Sequence, residues 1–100
     1  MPGFIQLIEV ETHHIDDIEA MVDDYREQAG ANATARRSTV ATDKDRPNTY
    51  INIVEFDSYE SAMANSQRPE TAHFAEQLAK LCDAPPRFRN LDVRLVTDMT

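Results

Sequence analysis

The sequence predicts an α+β fold of the ferredoxin-like type, in which the order βαββαβ gives a four-stranded antiparallel sheet with two helices on one face. Two short segments are dense in β-branched and aromatic residues, as strands are. Two longer segments repeat apolar residues every three or four positions, as amphipathic helices do. The chain has 100 residues, the usual size of one domain, so we expect residues 1–100 to form a single domain.

The first element is predicted to be a strand and the second a helix. Phe4–Val10 carries apolar residues on both faces, which is typical of a strand covered on both sides. Apolar residues recur at helical spacing through Ile15–Ala29, and acidic residues take the opposite side, so this segment predicts an amphipathic helix. Thr12 is its candidate N-cap, and Gly30 is expected to end it because glycine commonly follows the last helical turn.

Two strands joined by a turn are expected next. Ala33–Ala41 suits an exposed edge strand, since its two arginines discourage pairing with another sheet edge. Thr42–Thr49 has the Asp, Pro and Asn content of a turn. Tyr50–Phe56 resembles the first strand and has too few polar residues for one face to meet water. Both faces of this third strand should therefore be covered.

The second helical region is predicted to be interrupted, and a fourth strand follows it. Asp57, with Glu60 three residues later, can cap a helix that starts near Ser58. Pro69 then stops or kinks the run and is well placed to begin a new helical segment. The alternation of apolar and polar residues in Phe88–Thr97 predicts the last strand. The apolar stripe of the segment after the proline is expected at Ala72, Ala75, Leu78, Ala79 and Cys82, with Phe74 and Leu81 at its margins.

The parity of the strand residues predicts which sheet face the helices cover. The uniformly apolar set, expected to face the helices, is Ile5, Leu7, Ile51, Ile53, Leu91, Val93 and Leu95. The opposite set is still too apolar to meet water alone and includes Phe4, Gln6, Ile8, Val10, Tyr50, Asn52, Val54, Phe56 and Arg94. Two such sheets facing each other would bury it, so a homodimer is expected. Gln6, Asn52 and Arg94 would then line a partly closed cavity able to hold a small molecule.

Charge and composition disfavour several classes of partner and site. Ten basic and 18 acidic residues give a formal charge of −8, which argues against nucleic acid and anionic membranes because phosphate binding depends on clustered Lys and Arg. No apolar run approaches the ~20 residues of a membrane span, and the N-terminus lacks the features of a signal peptide, so a cytoplasmic location is expected. One cysteine and three histidines give no zinc-site spacing. Cys82 is expected to be a small buried hydrophobe.

Three segments of the chain resemble a known family. They are the opening FIQLIEVET, the strand-to-helix join YINIVEFDSYESAM and the later helix ETAHFAEQLAKL. Over nearly its whole length the chain resembles the dimeric α/β-barrel superfamily, and most closely its antibiotic-biosynthesis-monooxygenase-like (ABM-like) proteins, including small actinobacterial proteins that have no assigned activity. The resemblance implies that two ferredoxin-like protomers form a dimeric α/β barrel. Members include cofactor-free monooxygenases of polycyclic phenols and quinols, haem-degrading enzymes, lactone isomerases and proteins without established activity, so the fold does not choose a function.

The resemblance also implies candidate site residues. Monooxygenases of this type need a pocket that orients an electron-rich phenol, promotes its deprotonation and lets the carbanion meet oxygen. Asn52 is the candidate that hydrogen-bonds a phenolate or ketone oxygen, the alternative being an amide satisfied at the dimer interface. His73 is a candidate base, against a surface or capping role, and Tyr50 and Tyr25 are candidate hydroxyl donors, against core roles. The expected substrate-binding residues are Gln6, Phe4, Ile8, Val54, Phe56 and Arg94.

The remaining polar groups have simpler interpretations. His13 and His14 could bind a metal or act as acid and base, but adjacent side chains diverge in direction, so we expect an exposed turn. Arg87 and Arg89 could receive a carboxylate, or pair with surface acids. The chain has no tryptophan, whereas the resemblance implies one in haem-degrading enzymes and in several quinol monooxygenases. Haem binding or degradation is therefore the weaker expectation, and no cofactor or metal is expected.

Two classes of function stay open from the sequence. The first is a cofactor-independent monooxygenase-like protein that acts on a small aromatic or polyketide-like substrate in a cavity between sheet and helices. Asn52 and Gln6 would orient this substrate, and His73 or Tyr50 would assist proton transfer. The second is a non-catalytic homodimer with a binding or accessory role, whose cavity holds a metabolite or is filled by side chains such as those of Phe4, Tyr50 and Phe56.

Overall fold

The computed structural model describes residues 3–30 and 34–100, and they fold in the order βαββααβ. The strands are β1 (Phe4–Glu11), β2 (Ala35–Thr42), β3 (Thr49–Phe56) and β4 (Arg87–Asp92), and the helices are α1 (Ile15–Ala29), α2 (Tyr59–Ser66) and α3 (Pro69–Leu81). This order confirms the predicted α+β ferredoxin-like fold, with α2 and α3 forming the interrupted second helix. The expected beginning of the edge strand at Ala33 lies outside the described residues.

The four strands form one antiparallel sheet in the order β2-β3-β1-β4. The central strands β1 and β3 pair along their whole length, from Phe4 opposite Phe56 to Glu11 opposite Thr49. Two antiparallel steps make β1 parallel to β2 and β3 parallel to β4, so a helical crossover must connect each of these parallel pairs. Both crossovers place their helices on the same face of the sheet, where α1 and α3 contact each other.

The helices cover the sheet face opposite to the predicted one, so the parity prediction is wrong. The buried strand side chains under the helices include those of Phe4, Ile8, Val10 and Phe56. The members of the predicted set that lie in strands are on the other face and are at least partly exposed, namely Ile5, Leu7, Ile51, Ile53 and Leu91. Val93 and Leu95 lie beyond the end of β4. Both faces of the central strands are apolar, and composition therefore carries no signal for this choice. The hand of the crossovers decides which face is covered.

Two clusters of apolar side chains hold the helices on the sheet. Ile8 and Val10 of the sheet pack with Ile18 of α1 and Leu78 of α3. Under α2, the rings of Phe4 and Phe56 have their centroids 6.3 Å apart and pack with Ala62, and Tyr59 meets the Phe4 ring edge-on at 5.5 Å.

The apolar stripe of α3 is rotated from its predicted position. Phe74, Leu78 and Leu81 face the first cluster, together with Cys82, whereas the alanines of the predicted stripe are exposed, namely Ala72, Ala75 and Ala79. The larger side chains, spaced by four and three residues, bury more apolar area than the alanines would, which stabilises this rotation.

The N-caps of α1 and α2 differ from those predicted. Ser58 caps α2, since its hydroxyl accepts from the Ser61 N–H and the Ser61 hydroxyl accepts from the Ser58 N–H, both at 3.1 Å. The predicted cap Asp57 is engaged instead by Arg36, with 2.6 Å between Nη2 and Oδ2. No side chain caps α1, whose N-cap position is occupied by His14.

The ends of the first helix and of the last strand follow from chain geometry. Gly30 ends α1 in a conformation with φ of 54°, which favours glycine, and this confirms the predicted stop. β4 ends at Asp92 rather than Thr97, because its partner β1 begins at Phe4, directly opposite Asp92. Alternation predicts a strand only where a neighbouring strand is available to pair with it.

Thr12 joins three segments at one end of the sheet. Its side chain is fully buried, and its hydroxyl donates to the Leu81 carbonyl at 2.5 Å and accepts from the His14 N–H at 2.9 Å. Its own N–H donates to the Asn48 carbonyl at 2.9 Å. Thr12 therefore ties the start of α1 to the end of α3 and to the turn before β3, instead of capping α1 in the predicted way.

Replacing Thr12 by valine is expected to lower the free energy of unfolding by about 1 to 2 kcal/mol. Valine has the same shape, so the loss comes from the Leu81 carbonyl and the His14 N–H, which lose a hydrogen-bond partner inside the protein. Chemical denaturation at a fixed protein concentration measures the change. Thr42→Val, at an exposed threonine of β2, is the matched control and should stay within about 0.5 kcal/mol of the parent. Equal stabilities of the two variants would contradict the role of the hydroxyl.

Candidate functional site

A cavity of about 390 Å³ lies between the sheet and the helices. A volume of this size is typical of sites that hold small organic molecules. The sheet wall includes Gln6, Ile8, Ser38, Asn52, Val54 and Phe56. The helical wall consists of Val22, Asp23, Tyr25, Arg26, Asn65, Thr71 and Phe74. Aliphatic and aromatic side chains make up much of both walls, and a few polar groups stand among them.

Two amide side chains stand on the sheet wall. Asn52 accepts a hydrogen bond at its Oδ1 from the Ser38 hydroxyl at 2.6 Å. Gln6 donates from its Nε2 to the Oδ1 of Asn90 at 3.2 Å. Both amides belong to the parity of Phe4 and Phe56, and the central strands therefore present them to the helices. The contact with Ser38 occupies the oxygen of Asn52 and leaves its amide N–H groups to donate.

Three polar side chains on the helical wall form what we call the Tyr25 cluster, which consists of Tyr25, Asn65 and Thr71. The Tyr25 hydroxyl donates to the Asn65 Oδ1 at 3.1 Å and lies 2.8 Å from the Thr71 hydroxyl. The Tyr25 ring packs against Phe74, with 5.3 Å between the ring centroids. Asn65 is buried, with 7% of its surface exposed. The cluster therefore places polar atoms that are at least partly buried on the helical wall of the cavity.

The structure brings several of the predicted site residues together and leaves others apart. Those that line the cavity are Asn52, Gln6, Ile8, Val54 and Phe56. Phe4 is in the core beside Phe56, and Tyr50 contributes to a separate cavity of about 20 Å³ near Leu78. His73 is exposed on α3, and Arg94 is exposed beyond the end of β4. Neither His73 nor Arg94 is among the described residues that line the cavity of about 390 Å³.

The cavity is also not where strand parity places it. Its strand residues face the helices of their own chain. The predicted location between two facing sheets is therefore wrong. The cavity lies between the sheet and the helices, which was the other predicted location. Sequence reasoning weighed a hydroxyl-donor role for Tyr25 against a core role, and it did not single out Asn65 or Thr71. No spacing signals them, because Asn65 and Thr71 lie on either side of the helix break at Pro69 and reach Tyr25 only in the folded chain.

Charges of both signs stand around the cavity. Arg36 contributes to its wall, but its guanidinium donates to Asp57 through Nε at 2.9 Å and Nη2 at 2.6 Å. This hydrogen bond lowers the pKa of Asp57 and raises that of Arg36. Asp23 and Arg26, one turn apart on α1, are exposed at the same cavity.

The other candidate groups lie elsewhere. His13 and His14 are exposed in the turn before α1, as predicted. His13 lies 2.6 Å from the Asp83 carboxylate through Nδ1 and 3.2 Å from the Asn48 amide through Nε2. Asp83 is 70 residues away in sequence, and only the folded chain brings it close. Burial raises the pKa of the partly buried Cys82 thiol, which fits the expected packing role.

The part of the chain that the structure describes contains neither a metal-binding cluster nor a membrane-spanning helix. Across residues 3–30 and 34–100, no three His, Cys, Asp or Glu side chains are grouped so that they could hold a metal ion. None of the helices in these ranges combines the length and the apolar composition needed to span a membrane.

Comparison with known proteins gives matches in structure but not in sequence. No protein family and no curated protein matches the sequence. Among solved structures, SnoaB, a cofactor-independent oxygenase from Streptomyces nogalater, superposes with a TM-score of 0.77 at 15% identity, over 96% of this chain and 97% of that one. A candidate antibiotic biosynthesis monooxygenase from Deinococcus radiodurans gives a TM-score of 0.77 at 8% identity, over 97% and 98% of the two chains.

A third solved structure also superposes on this chain. A candidate antibiotic biosynthesis monooxygenase from Bordetella bronchiseptica gives a TM-score of 0.72 at 18% identity, over 93% of this chain and 99% of that one. The finer expectation of an actinobacterial origin finds no support in these matches. At such low identities the likeness establishes architecture and leaves the chemistry open. The chain therefore has the ferredoxin-like fold of the solved antibiotic-biosynthesis-monooxygenase-like proteins.

Proposed function

We propose that this chain is a cofactor-independent monooxygenase-like protein that oxidises a small, electron-rich aromatic molecule in the cavity between sheet and helices. The observation that carries the proposal is the combination of a mostly apolar cavity of about 390 Å³ with an oriented Asn52 amide on its wall. The shared fold with a cofactor-independent oxygenase supports the same class of reaction.

The reaction can be written for anthrone, a tricyclic ketone with a methylene opposite its carbonyl. Loss of a methylene proton gives an enolate, whose negative charge rests on the ketone oxygen. This enolate transfers one electron to O₂, and the two radicals combine to form a carbon–oxygen bond. The peroxide takes up the first proton, and loss of the second methylene proton then breaks the O–O bond and releases hydroxide. The second proton converts this hydroxide to water. Anthrone and O₂ thereby give anthraquinone and water, and O₂ is the only oxidant.

In this proposal the protein binds and stabilises the enolate. An N–H of Asn52 donates to the ketone oxygen, and this stabilises the negative charge that develops there. Ser38 holds the amide in the required orientation through its hydrogen bond to Oδ1. Asp23 is the carboxylate in the lining that can accept the proton. His73 has no role, since it stands exposed on α3.

Oxygen uptake with anthrone tests the proposal. Asn52→Leu removes the donor at nearly constant volume and is expected to lower the rate at least about 100-fold, as loss of one oxyanion donor commonly does. Gln77→Leu, which changes an exposed amide on α3 in the same way, should keep the full rate. A fully active Asn52→Leu protein would rule out the proposed role of this residue, and a wild-type protein without uptake would rule out the activity.

A second candidate function is non-catalytic binding of a small aromatic molecule in the same cavity. The observation in its favour is that none of the histidines lines the cavity within the described residues, so the usual general base near neutral pH is missing from the wall. Binding of anthraquinone-2-sulfonate without any oxygen uptake on anthrone would favour this function over the enzymatic one.

We further propose that the protein acts as a homodimer through the uncovered side of the sheet. We call this side the open face and define it by Ile5, Leu7, Ile51, Ile53 and Leu91. These side chains adjoin one another across the strands, since Ile5 pairs with Leu91 and Leu7 with Ile53. A contiguous apolar patch of this kind is typical of an interface.

The charges around the open face favour a second copy of the same chain as the partner. Glu9 and Glu55 are each 21% exposed at the side chain, and arginines stand beside both of them, with Arg37 3.5 Å from Glu55 and Arg46 3.7 Å from Glu9. A surface that carries both signs can meet itself about a twofold axis, because each acidic group can then face a basic one.

A further inference from the structure

Each of two asparagines in the cavity has its oxygen occupied by a neighbouring hydroxyl. On the sheet wall, Ser38 donates to the Oδ1 of Asn52 at 2.6 Å. On the helical wall, Tyr25 donates to the Oδ1 of Asn65 at 3.1 Å. Because the oxygen of each carboxamide is held in this way, its nitrogen is turned away from the hydroxyl and keeps its N–H donors.

The proton count in the Tyr25 cluster supports this orientation. Tyr25 has a single hydroxyl proton, and Asn65 receives it. The 2.8 Å contact between Tyr25 and Thr71 must then be donated by Thr71, whose proton is used as well. The amide N–H groups of Asn65 are the donors that remain. In the ranges 3–30 and 34–100, no hydrogen bond to an acceptor is found for the Nδ2 of Asn65 or of Asn52.

The break between α2 and α3 creates this arrangement. On an uninterrupted helix, residues six positions apart point in directions roughly 120° different. Here α2 ends at Ser66 and α3 begins at Pro69, and the Arg68 N–H donates to the Asn65 carbonyl at 3.2 Å while the Thr71 N–H donates to the Arg68 carbonyl at 3.1 Å. The turn lets Asn65 and Thr71 both reach the Tyr25 hydroxyl.

We infer that the cavity recognises a flat aromatic molecule with an acceptor oxygen on each of two opposite edges. Asn52 binds the first oxygen from the sheet wall, and Asn65 binds the second from the helical wall. Tyr25 and Thr71 are positioning residues, because they hold the Asn65 amide rather than the ligand. This inference rests on the proposed function in placing the ligand in the cavity. In the proposed reaction, the second oxygen is the one that O₂ adds to the ring.

Binding of two matched probes tests the inference without any turnover. Anthraquinone-2-sulfonate has an acceptor oxygen on both edges, and anthracene-2-sulfonate has the same rings and charge but neither oxygen. The wild-type protein should bind the quinone more tightly in isothermal titration calorimetry. Asn65→Leu and Asn52→Leu should each weaken quinone binding by about tenfold, the value of one hydrogen bond to a ligand oxygen, and leave binding of the hydrocarbon unchanged.

Tyr25→Phe keeps the ring that packs on Phe74 and removes only the hydroxyl that orients Asn65, so it should also weaken quinone binding selectively. Equal weakening of both probes in Tyr25→Phe and Asn65→Leu would show that the cluster has only a structural role, and would overturn the inference. Loss confined to Asn52→Leu would overturn it too, since the site would then recognise a single oxygen. Selective quinone binding without oxygen uptake on anthrone would uphold it while refuting the enzymatic function.

Discussion

Replacing Phe4 by alanine is expected to lower the free energy of unfolding by about 3 to 5 kcal/mol. Phe4 is 2% exposed, and its ring lies between the Phe56 and Tyr59 rings beneath α2. Truncation removes the apolar contacts and leaves a cavity that the central strands cannot close, because the hydrogen bonds between β1 and β3 hold them in place. Since domains of this size are commonly stable by about 5 to 15 kcal/mol, the loss is a large fraction of the total stability.

The matched control is Phe88→Ala, which makes the same chemical change on β4, where the side chain is 51% exposed. Its cost should be about 1 kcal/mol or less, because half of the ring already meets water. Urea denaturation of both variants at one protein concentration gives the comparison. Similar costs for the two substitutions would mean that the cluster beneath α2 does not stabilise the fold as described.

A glutamate in place of Ile53 is expected to convert the proposed homodimer into a monomer. Ile53 lies at the middle of β3 on the open face, opposite Leu7 of β1 and Thr39 of β2. A buried carboxylate without a partner costs at least about 3 kcal/mol, or more than 100-fold in the dissociation constant, and a symmetric interface contains the change twice. Sedimentation velocity at micromolar concentration measures the effect.

Two controls separate the interface from the fold. Ile53→Val keeps an apolar side chain of similar shape and should remain dimeric. The far-UV circular dichroism of Ile53→Glu should match that of the parent, because this side chain is only half-buried within one chain. A monomeric wild-type protein, or a glutamate variant that sediments as a dimer, would show that the open face does not join two copies.

Much of the architecture follows from local patterns in the sequence. The helical spacing of Ile15–Ala29 and the stop at Gly30 correspond to the observed α1. The strand at Tyr50–Phe56 and the break at Pro69 also agree with the structure within a residue. Local physics governs each of these features, because hydrophobic periodicity, a left-handed glycine and a missing proline N–H act within a few residues.

The candidate site was predicted in part. Asn52 and Gln6 were identified because they are isolated polar side chains in apolar strands. Both line the cavity. His73 was a candidate because of its chemistry, and its exposed position on α3 agrees with the alternative surface role. The Tyr25 cluster was missed because its hydrogen bonds span 40 and 46 residues, and no spacing within one element indicates them.

By itself the sequence determined the order of the elements, most of their boundaries and the apolar character of both faces of the sheet. Only the tertiary structure decided which face lies under the helices, and with it whether Asn52 points at α1 or away from it. The physical reason is that composition reports how much apolar surface must be buried, whereas the crossover connections decide what covers it. The crossover connections therefore also create the cavity, because its walls come from β1, β2, β3 and all three helices.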